Sequence, residues 1–417
     1  MVFDNLGSVK EMLNSYIHDS LFKKPKLKPK ISYGKKNIQI GRRVSDGSIY
    51  SLNVEEAFRM LVLGLTRSGK TFTLRSMMSR MKKIGFDVVY LSDVKNEFFT
   101  NNYPVQDKFV DGLLPGEKPF RDKTVVLRPT FFKQISKKLQ KLNFWYSVDM
   151  NELSRADFMT LMNVNEMTTN QKTALELIYQ ELHKRLSNGE SFSIDLIYDI
   201  IDSDNDIEDK AKKSLKFKFK PLEFSFFYEP EFQRSIVALI KKGYSVSFNL
   251  ENFDQFGKGS FLFPEVTLNI VLREIVSARR KKEIKKLWII IDEASRFIGK
   301  SKRNSVKDSV EESYELDSRY GINYCSAYQS WSDIPDKILS NTRYILVPRS
   351  ADTGTIKSVL NNTGLVKNVQ RSLNRAMELK RLMKKHDWSW LIIDRMELTY
   401  DIITFLPPLT MHLESTK

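Results

Sequence analysis

An eight-residue phosphate-binding pattern constrains this chain more than any other feature. Residues 64–71 read Gly-Leu-Thr-Arg-Ser-Gly-Lys-Thr, which fits G-x-x-x-x-G-K-[ST]. The apolar run Met60–Leu63 precedes the pattern, and a helix-like segment from Thr71 to Lys83 follows it. A strand, a glycine loop and a helix in this order form a P-loop, in which backbone N–H groups and the helix N-terminus point at phosphate oxygens. We therefore predict a nucleotide site on an α/β fold.

The side chains of this loop predict its ligands. In a P-loop, Lys70 would neutralise the β- and γ-phosphates and the Thr71 hydroxyl would bind Mg²⁺. We therefore expect ATP and Mg²⁺ to bind here, with Thr71 as one ligand of the metal ion. The residues expected to line the nucleotide are Gly64, Thr66, Arg67, Ser68, Gly69, Lys70 and Thr71.

Size and composition exclude several classes of protein. The 417 residues suffice for one large domain with insertions or for two domains, and a hydrophobic content of 41% supplies a sizeable core. Apolar stretches such as Leu287–Ile291 are far too short to cross a bilayer, and the first residues show neither the basic start nor the long apolar stretch that we expect of a signal peptide. The single cysteine, Cys325, excludes an intramolecular disulfide and a Cys-rich metal site. We predict a cytoplasmic protein without an integral membrane segment.

The charge balance favours an anionic partner. The chain has 67 Lys and Arg residues against 51 Asp and Glu residues, a net charge of +16. Nucleic acid is the first candidate for such a partner, and a solvated lysine-rich surface is the alternative that charge alone leaves open.

Short apolar runs alternate with helix-like segments beyond residue 58. This alternation predicts a mostly parallel sheet with helices on both faces. The predicted strands are Met60–Leu63, Phe86–Leu91, Thr124–Leu127, Tyr244–Leu250, Leu287–Ile291, Ile322–Ala327 and Tyr344–Val347, with two closing strands at Trp390–Asp394 and Asp401–Phe405.

Changes of pattern along the chain predict its domain organisation. Residues 1–30 read as an amphipathic helix and a basic linker, and residues 31–58 as a short β-rich segment. The ATPase core occupies 59–149 and 241–417, and a helical insertion at 150–240 separates its two parts. Within that insertion, the alternating lysines and phenylalanines of Lys212–Lys220 indicate a strand, whose lysines face either DNA or solvent at a sheet edge.

Two later strands carry the remaining chemistry. Leu287–Ile291 ends in Asp292 and Glu293, the arrangement of a Walker B strand. We expect Asp292 to bind Mg²⁺, directly or through water, and Glu293 to accept a proton from the attacking water or to orient it. A further strand ends just before Gln329, which can contact the γ-phosphate or the water as a sensor.

The order of these motifs resembles the HerA/FtsK superfamily of ring-forming P-loop ATPases, and the HerA branch most closely. The residues that carry the resemblance are 64–71, Ser92–Phe98, Ile291–Ala294, Ser318–Ile322, Ala327–Gln329 and Phe405–Pro408. The resemblance covers roughly residues 39–417 and implies a RecA-like core. HerA proteins usually carry a full N-terminal β-barrel, whereas only residues 31–58 are available for one here, so we expect the barrel to be truncated or absent.

The resemblance also implies further site residues. Asp93 and Glu97 match an acidic motif that follows the second core strand, and we count both among the catalytic residues. Arg319 matches an arginine that completes the neighbouring subunit's site as a finger, which stabilises charge developing on the γ-phosphoryl group. Arg59, just before the first core strand, is similar to a second arginine of the family.

The leading hypothesis is an ATP-driven translocase that acts on duplex DNA as a ring. The resemblance implies a homo-hexamer, backbone contacts to DNA without sequence specificity, and a nuclease or other protein as a partner. A secretion or conjugation ATPase of the same superfamily is one alternative. A nucleotide switch without motor activity is the other, and it would hydrolyse ATP slowly and not respond to DNA.

Overall fold

A computed structural model describes most of the chain. It covers residues 37–54, 58–65, 68–95, 97–105, 110–130, 144–223, 230–251, 262–366 and 369–410. The helix and linker predicted within residues 1–30 lie outside the described residues, as do Thr66 and Arg67.

Twelve strands of the described residues form one sheet, whose order is β2-β1-β12-β11-β10-β3-β9-β8-β4-β7-β5-β6. All nine predicted strands are present, each within a few residues of its predicted bounds. The strands are β1 Asn37–Arg43, β2 Ile49–Asn53, β3 Arg59–Leu63, β4 Asp87–Asp93, β5 Thr124–Pro129, β6 Phe144–Tyr146, β7 Ser245–Asn249, β8 Leu287–Ile291, β9 Ile322–Tyr328, β10 Tyr344–Pro348, β11 Ser389–Asp394 and β12 Thr399–Phe405.

Helices connect most of these strands. Those of the described residues are α1 Lys70–Lys83, α2 Arg155–Leu161, α3 Thr169–Ser187, α4 Ile194–Ser203, α5 Asp209–Glu223, α6 Ile236–Lys241, α7 Phe263–Arg280, α8 Ser295–Ile298, α9 Ser305–Leu316, α10 Asp336–Ser340, α11 Thr353–Asn362 and α12 Val369–Lys384. In the same part of the chain, no helix is both long and apolar enough to cross a membrane.

The sheet has a parallel body with an antiparallel margin. The strands from β10 to β6 in the sheet order pair in parallel, so their carboxyl ends lie along one edge. On the other side of β10, β11, β12, β1 and β2 pair antiparallel. This mostly parallel sheet confirms the predicted fold class. The two strands of the N-terminal β-rich segment extend the ATPase sheet rather than form a separate barrel.

Both faces of the central strands are covered, which explains why β8 and β10 are apolar throughout. Alternate residues of a strand point to opposite faces. Val62 and Ile290 therefore pack with the side chains of α1 on one face, while Leu61 and Ile289 pack on the other face with α7, α9 and the helices of the insertion. Because β3 is buried on both faces, the P-loop that follows it starts from a rigid support.

The strand predicted at Lys212–Lys220 is wrong, because these residues lie in helix α5. Ala211, Leu215 and Phe219 are buried at four-residue intervals, which is the spacing of one helix face. Phe217, whose alternation with the lysines suggested a strand, is 78% exposed. The apolar stripe packs into the core of the insertion, and that packing determines the helix.

Candidate active site

The P-loop begins at the carboxyl end of β3, where backbone constraints require its two glycines. The Gly64 N–H donates to the Tyr328 carbonyl at 3.0 Å, which joins the loop to the end of β9. A Cβ atom on Gly64 would overlap the Ser68 hydroxyl and lie 3.0 Å from Cγ of Pro348. Gly69 has a φ of 88°, in the left-handed region that glycine adopts without strain, and it caps α1. Lys70 is therefore the first residue of the helix.

Lys70, Glu293 and Gln329 meet at the carboxyl edge of the sheet. The Lys70 ammonium donates to the Gly64 carbonyl at 2.5 Å and lies 3.8 Å from Oε1 of Glu293. The Gln329 amide donates to the other carboxylate oxygen of Glu293. Both Lys70 and Glu293 are buried, and Glu293 has a φ of 49°, a left-handed conformation that costs energy in a non-glycine residue. Strain of this kind concentrates at functional sites, so the backbone supports a catalytic assignment for Glu293.

Burial favours the uncharged forms of the ionisable side chains at this site. Burial lowers the pKa of Lys70, although the nearby carboxylates of Glu293 and Asp292 oppose the shift. Burial is the main cause that raises the pKa of Asp292, and the adjacent Glu293 carboxylate raises it further. A phosphate chain and a divalent cation bring the opposite charges that each group needs, so the site is built for charged ligands.

The residues present fit an Mg²⁺ ion with ATP. Mg²⁺ prefers oxygen ligands and binds through one or two carboxylates together with substrate phosphates. The Thr71 hydroxyl and the Asp292 carboxylate supply such ligands, and Mg²⁺ bound there would neutralise charge on the β- and γ-phosphates. Among the described residues, no cluster of three or more His, Cys, Asp or Glu side chains could hold a metal alone. The buried Ser68 hydroxyl also lacks a partner within the described chain, and a phosphate oxygen can supply one.

Asp93 and Glu97 lie beside the Walker B strand, at the end of β4. The Asp93 carboxylate accepts the N–H groups of Glu97 and Phe98 at 3.0 and 3.1 Å, and the Ser247 hydroxyl at 3.3 Å. These bonds fix the turn after β4, so the geometry gives Asp93 a positioning role. Burial raises the pKa of Asp93 to about 6 and that of Glu97 to about 7.

Arg319 lies at the opposite edge of the sheet from the P-loop. Two residues separate Arg319 from the start of β9, whereas Gln329 directly follows this seven-residue strand, which alone spans about 23 Å. Arg319 is exposed, and its guanidinium lies 4.9 Å from the centre of the Tyr320 ring. Arg59, by contrast, is buried and donates to the Ser313 carbonyl at 3.2 Å. The structure therefore gathers the P-loop, Walker B and sensor residues, and leaves both arginines at the far edge.

Two polar side chains of the site were not predicted from the sequence. The Ser92 hydroxyl donates to the Asp292 carbonyl at 2.6 Å and joins β4 to the Walker B segment. Lys95 lies close enough to repel the Lys70 ammonium, and its charge partly offsets the rise that burial causes in the pKa of Asp292. Both belong to the Ser92–Phe98 motif, but they have these effects only because the fold brings them close to Asp292.

This sheet and this site define the class of the protein, which is a P-loop ATPase with a RecA-like core. A family model described as "Helicase HerA, central domain" matches residues 38–261, more than half of the chain. The chain therefore belongs to the HerA family, as its motifs predicted. No curated protein sequence matches it.

Solved structures show the same fold at low sequence identity. The structure of VirB4 of Thermoanaerobacter pseudethanolicus is 12% identical, with a TM-score of 0.59 over 90% of this chain and 98% of that chain. The unbound bacterial conjugative coupling protein TrwBdeltaN70 is 14% identical, with a TM-score of 0.55 over 93% and 90%. The plasmid coupling protein TrwB in complex with ADP and Mg²⁺ is 15% identical, with a TM-score of 0.52 over 86% of each chain.

Proposed function

We propose that this protein is an ATP-driven translocase that acts on duplex DNA as a homo-hexameric ring in the cytoplasm. The observation that carries the proposal is the division of the site between two edges of the sheet. Lys70, Glu293 and Gln329 lie at one edge, and the exposed Arg319 lies about 23 Å away at the other. Arg319 can reach a γ-phosphate only in another subunit, and a repeated contact between unlike edges forms a ring when its rotation closes, which is the arrangement that we propose.

The hydrolysis step follows from the geometry of the first edge. Lys70 would bind the β- and γ-phosphates, with Gln329 holding the Glu293 carboxylate in place. A water oxygen attacks the γ-phosphorus, the bond to the bridging oxygen breaks, and ADP and phosphate leave. Glu293 would take the proton of the water or orient it, and the neighbour's Arg319 would stabilise the charge on the γ-phosphoryl group.

The charge of the protein supports DNA as the partner. A net charge of +16 suits contacts to phosphates, and several lysines of α5 are exposed, namely Lys210, Lys213 and Lys220. Contacts to the backbone need not read the base sequence, which suits a motor that moves along DNA. DNA-end processing, genome packaging and transfer of a mobile element are settings for such an activity, and a nuclease is one partner that the first of them would use.

One further candidate is a conjugation or secretion ATPase. The shared fold with a bacterial conjugative coupling protein is the observation that favours it. A nucleotide switch is disfavoured because the strained Glu293 and its contact with Gln329 are suited to turnover.

The test is the ATPase rate with and without duplex DNA, together with the mass of the assembly. We expect a hexamer, a rate that DNA stimulates, and a DNA affinity that falls steeply with salt because bound lysines and arginines release counterions. Lys70→Ala gives the background rate. A monomeric protein, an ATPase rate that DNA does not change, or a DNA affinity that does not depend on salt would each contradict the proposed translocase activity.

A further inference from the structure

The link between α12 and β11 brings an aromatic side chain against the P-loop. A Cβ atom on Gly69 would lie 3.5 Å from Cζ3 and 3.6 Å from Cε3 of Trp388, and 3.8 Å from Cζ2 of Trp390. Trp390 is buried within β11, whereas Trp388 is partly exposed just before it. The Trp388 indole therefore lies beside the residue that caps the phosphate-binding helix.

The backbone holds Trp388 in an unfavourable conformation. Its φ of 57° lies in the left-handed region, which bulky side chains rarely adopt. Contacts on both sides keep it there. The Arg349 N–H donates to the Ser389 carbonyl at 3.0 Å, the Ser389 hydroxyl donates to the Met383 carbonyl at 2.9 Å, and the Arg349 guanidinium pairs with the Asp387 carboxylate. Strain maintained by surrounding contacts is a mark of a functional position.

The catalytic residues fix the direction in which a nucleotide lies. Glu293 and Gln329 follow β8 and β9, on one side of β3 in the sheet order. If the γ-phosphate of ATP lies beside these two residues, the adenine base at the other end of the nucleotide extends toward the opposite side of β3. That side holds β10 and β11, and Trp388 directly precedes β11.

We propose that Trp388 forms the base subsite of the nucleotide site, with its indole stacked on the purine of ATP. This inference rests on the ATPase function and names the group that binds the end of ATP remote from the reaction. Because every base has a π-face, stacking binds different bases with little discrimination. The subsite would therefore add affinity rather than strict selectivity for adenine.

The test compares ATP with inorganic tripolyphosphate, both with Mg²⁺, by titration calorimetry on the full chain. Trp388→Ala should weaken ATP binding about tenfold or more and leave tripolyphosphate binding unchanged, because only ATP has a base to stack. Trp388→Phe should keep most of the ATP affinity, since it retains an aromatic face. Trp145→Ala is the matched control, because this partly buried tryptophan lies in β6, at the far end of the sheet.

Tryptophan fluorescence gives a second readout that needs no base-free ligand. ATP should quench the fluorescence of the wild-type protein and of the Trp145 variant, and the quenching should be clearly smaller in Trp388→Phe. An unchanged ATP affinity in Trp388→Ala, an equal loss for ATP and tripolyphosphate, or quenching in Trp388→Phe as strong as in the wild type would each overturn the base subsite. A wild-type protein that binds no ATP would instead refute the ATPase function on which the inference rests.

Discussion

Replacing Glu293 by glutamine tests the catalytic centre most directly. The amide keeps the shape of the side chain and can still accept the Gln329 hydrogen bond through its oxygen, but it cannot take a proton. A positioned general base contributes about 10²- to 10⁴-fold to a rate. We therefore expect Glu293→Gln to hydrolyse ATP slower by that factor.

The same substitution should not weaken ATP binding. In the free protein, Glu293 lies 3.8 Å from the Lys70 ammonium, and a γ-phosphate must compete for that cation. Two unit charges at 3.8 Å attract by about 4 kcal/mol at an effective dielectric constant of about 20, so the competition is worth at most about a thousandfold in affinity. Glu293→Gln should consequently bind ATP as tightly as the wild type or more tightly.

Single-turnover hydrolysis and titration calorimetry measure the two effects separately. Glu315→Gln is the matched control, because it removes an exposed carboxylate that pairs with Lys337 at 3.6 Å, and it should change neither quantity. Turnover within a fewfold of wild type would remove Glu293 from the catalytic role. A large loss of ATP affinity would show that the Lys70–Glu293 pair supports the loop rather than competes with the phosphate.

Three other substitutions test separate parts of the site. Lys70→Ala should abolish ATP binding because the phosphates lose their main counterion, and tight binding by titration would refute the P-loop assignment. Subunits with Arg319→Ala and subunits with Glu293→Gln should each be inactive alone and regain hydrolysis in mixed rings, where some interfaces have both native residues; rings proven to be mixed that stay inactive would argue against a finger acting between subunits. For Glu97→Gln, denaturation at several pH values is the measurement. Burial raises the pKa of Glu97 from 4.5 to about 7, so the native carboxyl binds its proton more tightly than the unfolded one, and wild-type stability falls as pH rises through this window. From pH 4.5 to pH 7, the free energy of unfolding of the variant should rise by about 3 kcal/mol relative to that of the wild type, and the absence of this rise would refute the pKa shift of Glu97.

The sequence alone determined the parts of this protein that depend on neighbouring residues. The P-loop and the Walker B carboxylates each follow directly from one buried strand, so their chemistry is visible in a short stretch such as 64–71 or 287–293. The apolar strands were predictable for the same reason, because a parallel strand covered on both faces is apolar throughout. The sequence also predicted where the β-rich segment and the helical segments lie along the chain, whereas the domain boundaries stay predictions.

Only the tertiary structure decided which of these residues meet. The sheet order puts β9 between β3 and β8, and this order brings Gln329 to Glu293, while the direction of β9 leaves Arg319 at the far edge. The same packing made a helix of Lys212–Lys220 by burying Leu215 and Phe219, and it brought Trp388 to a P-loop more than 300 residues away in sequence. Pairing between strands and burial of side chains depend on contacts between distant segments, and a local pattern of residues does not encode those contacts.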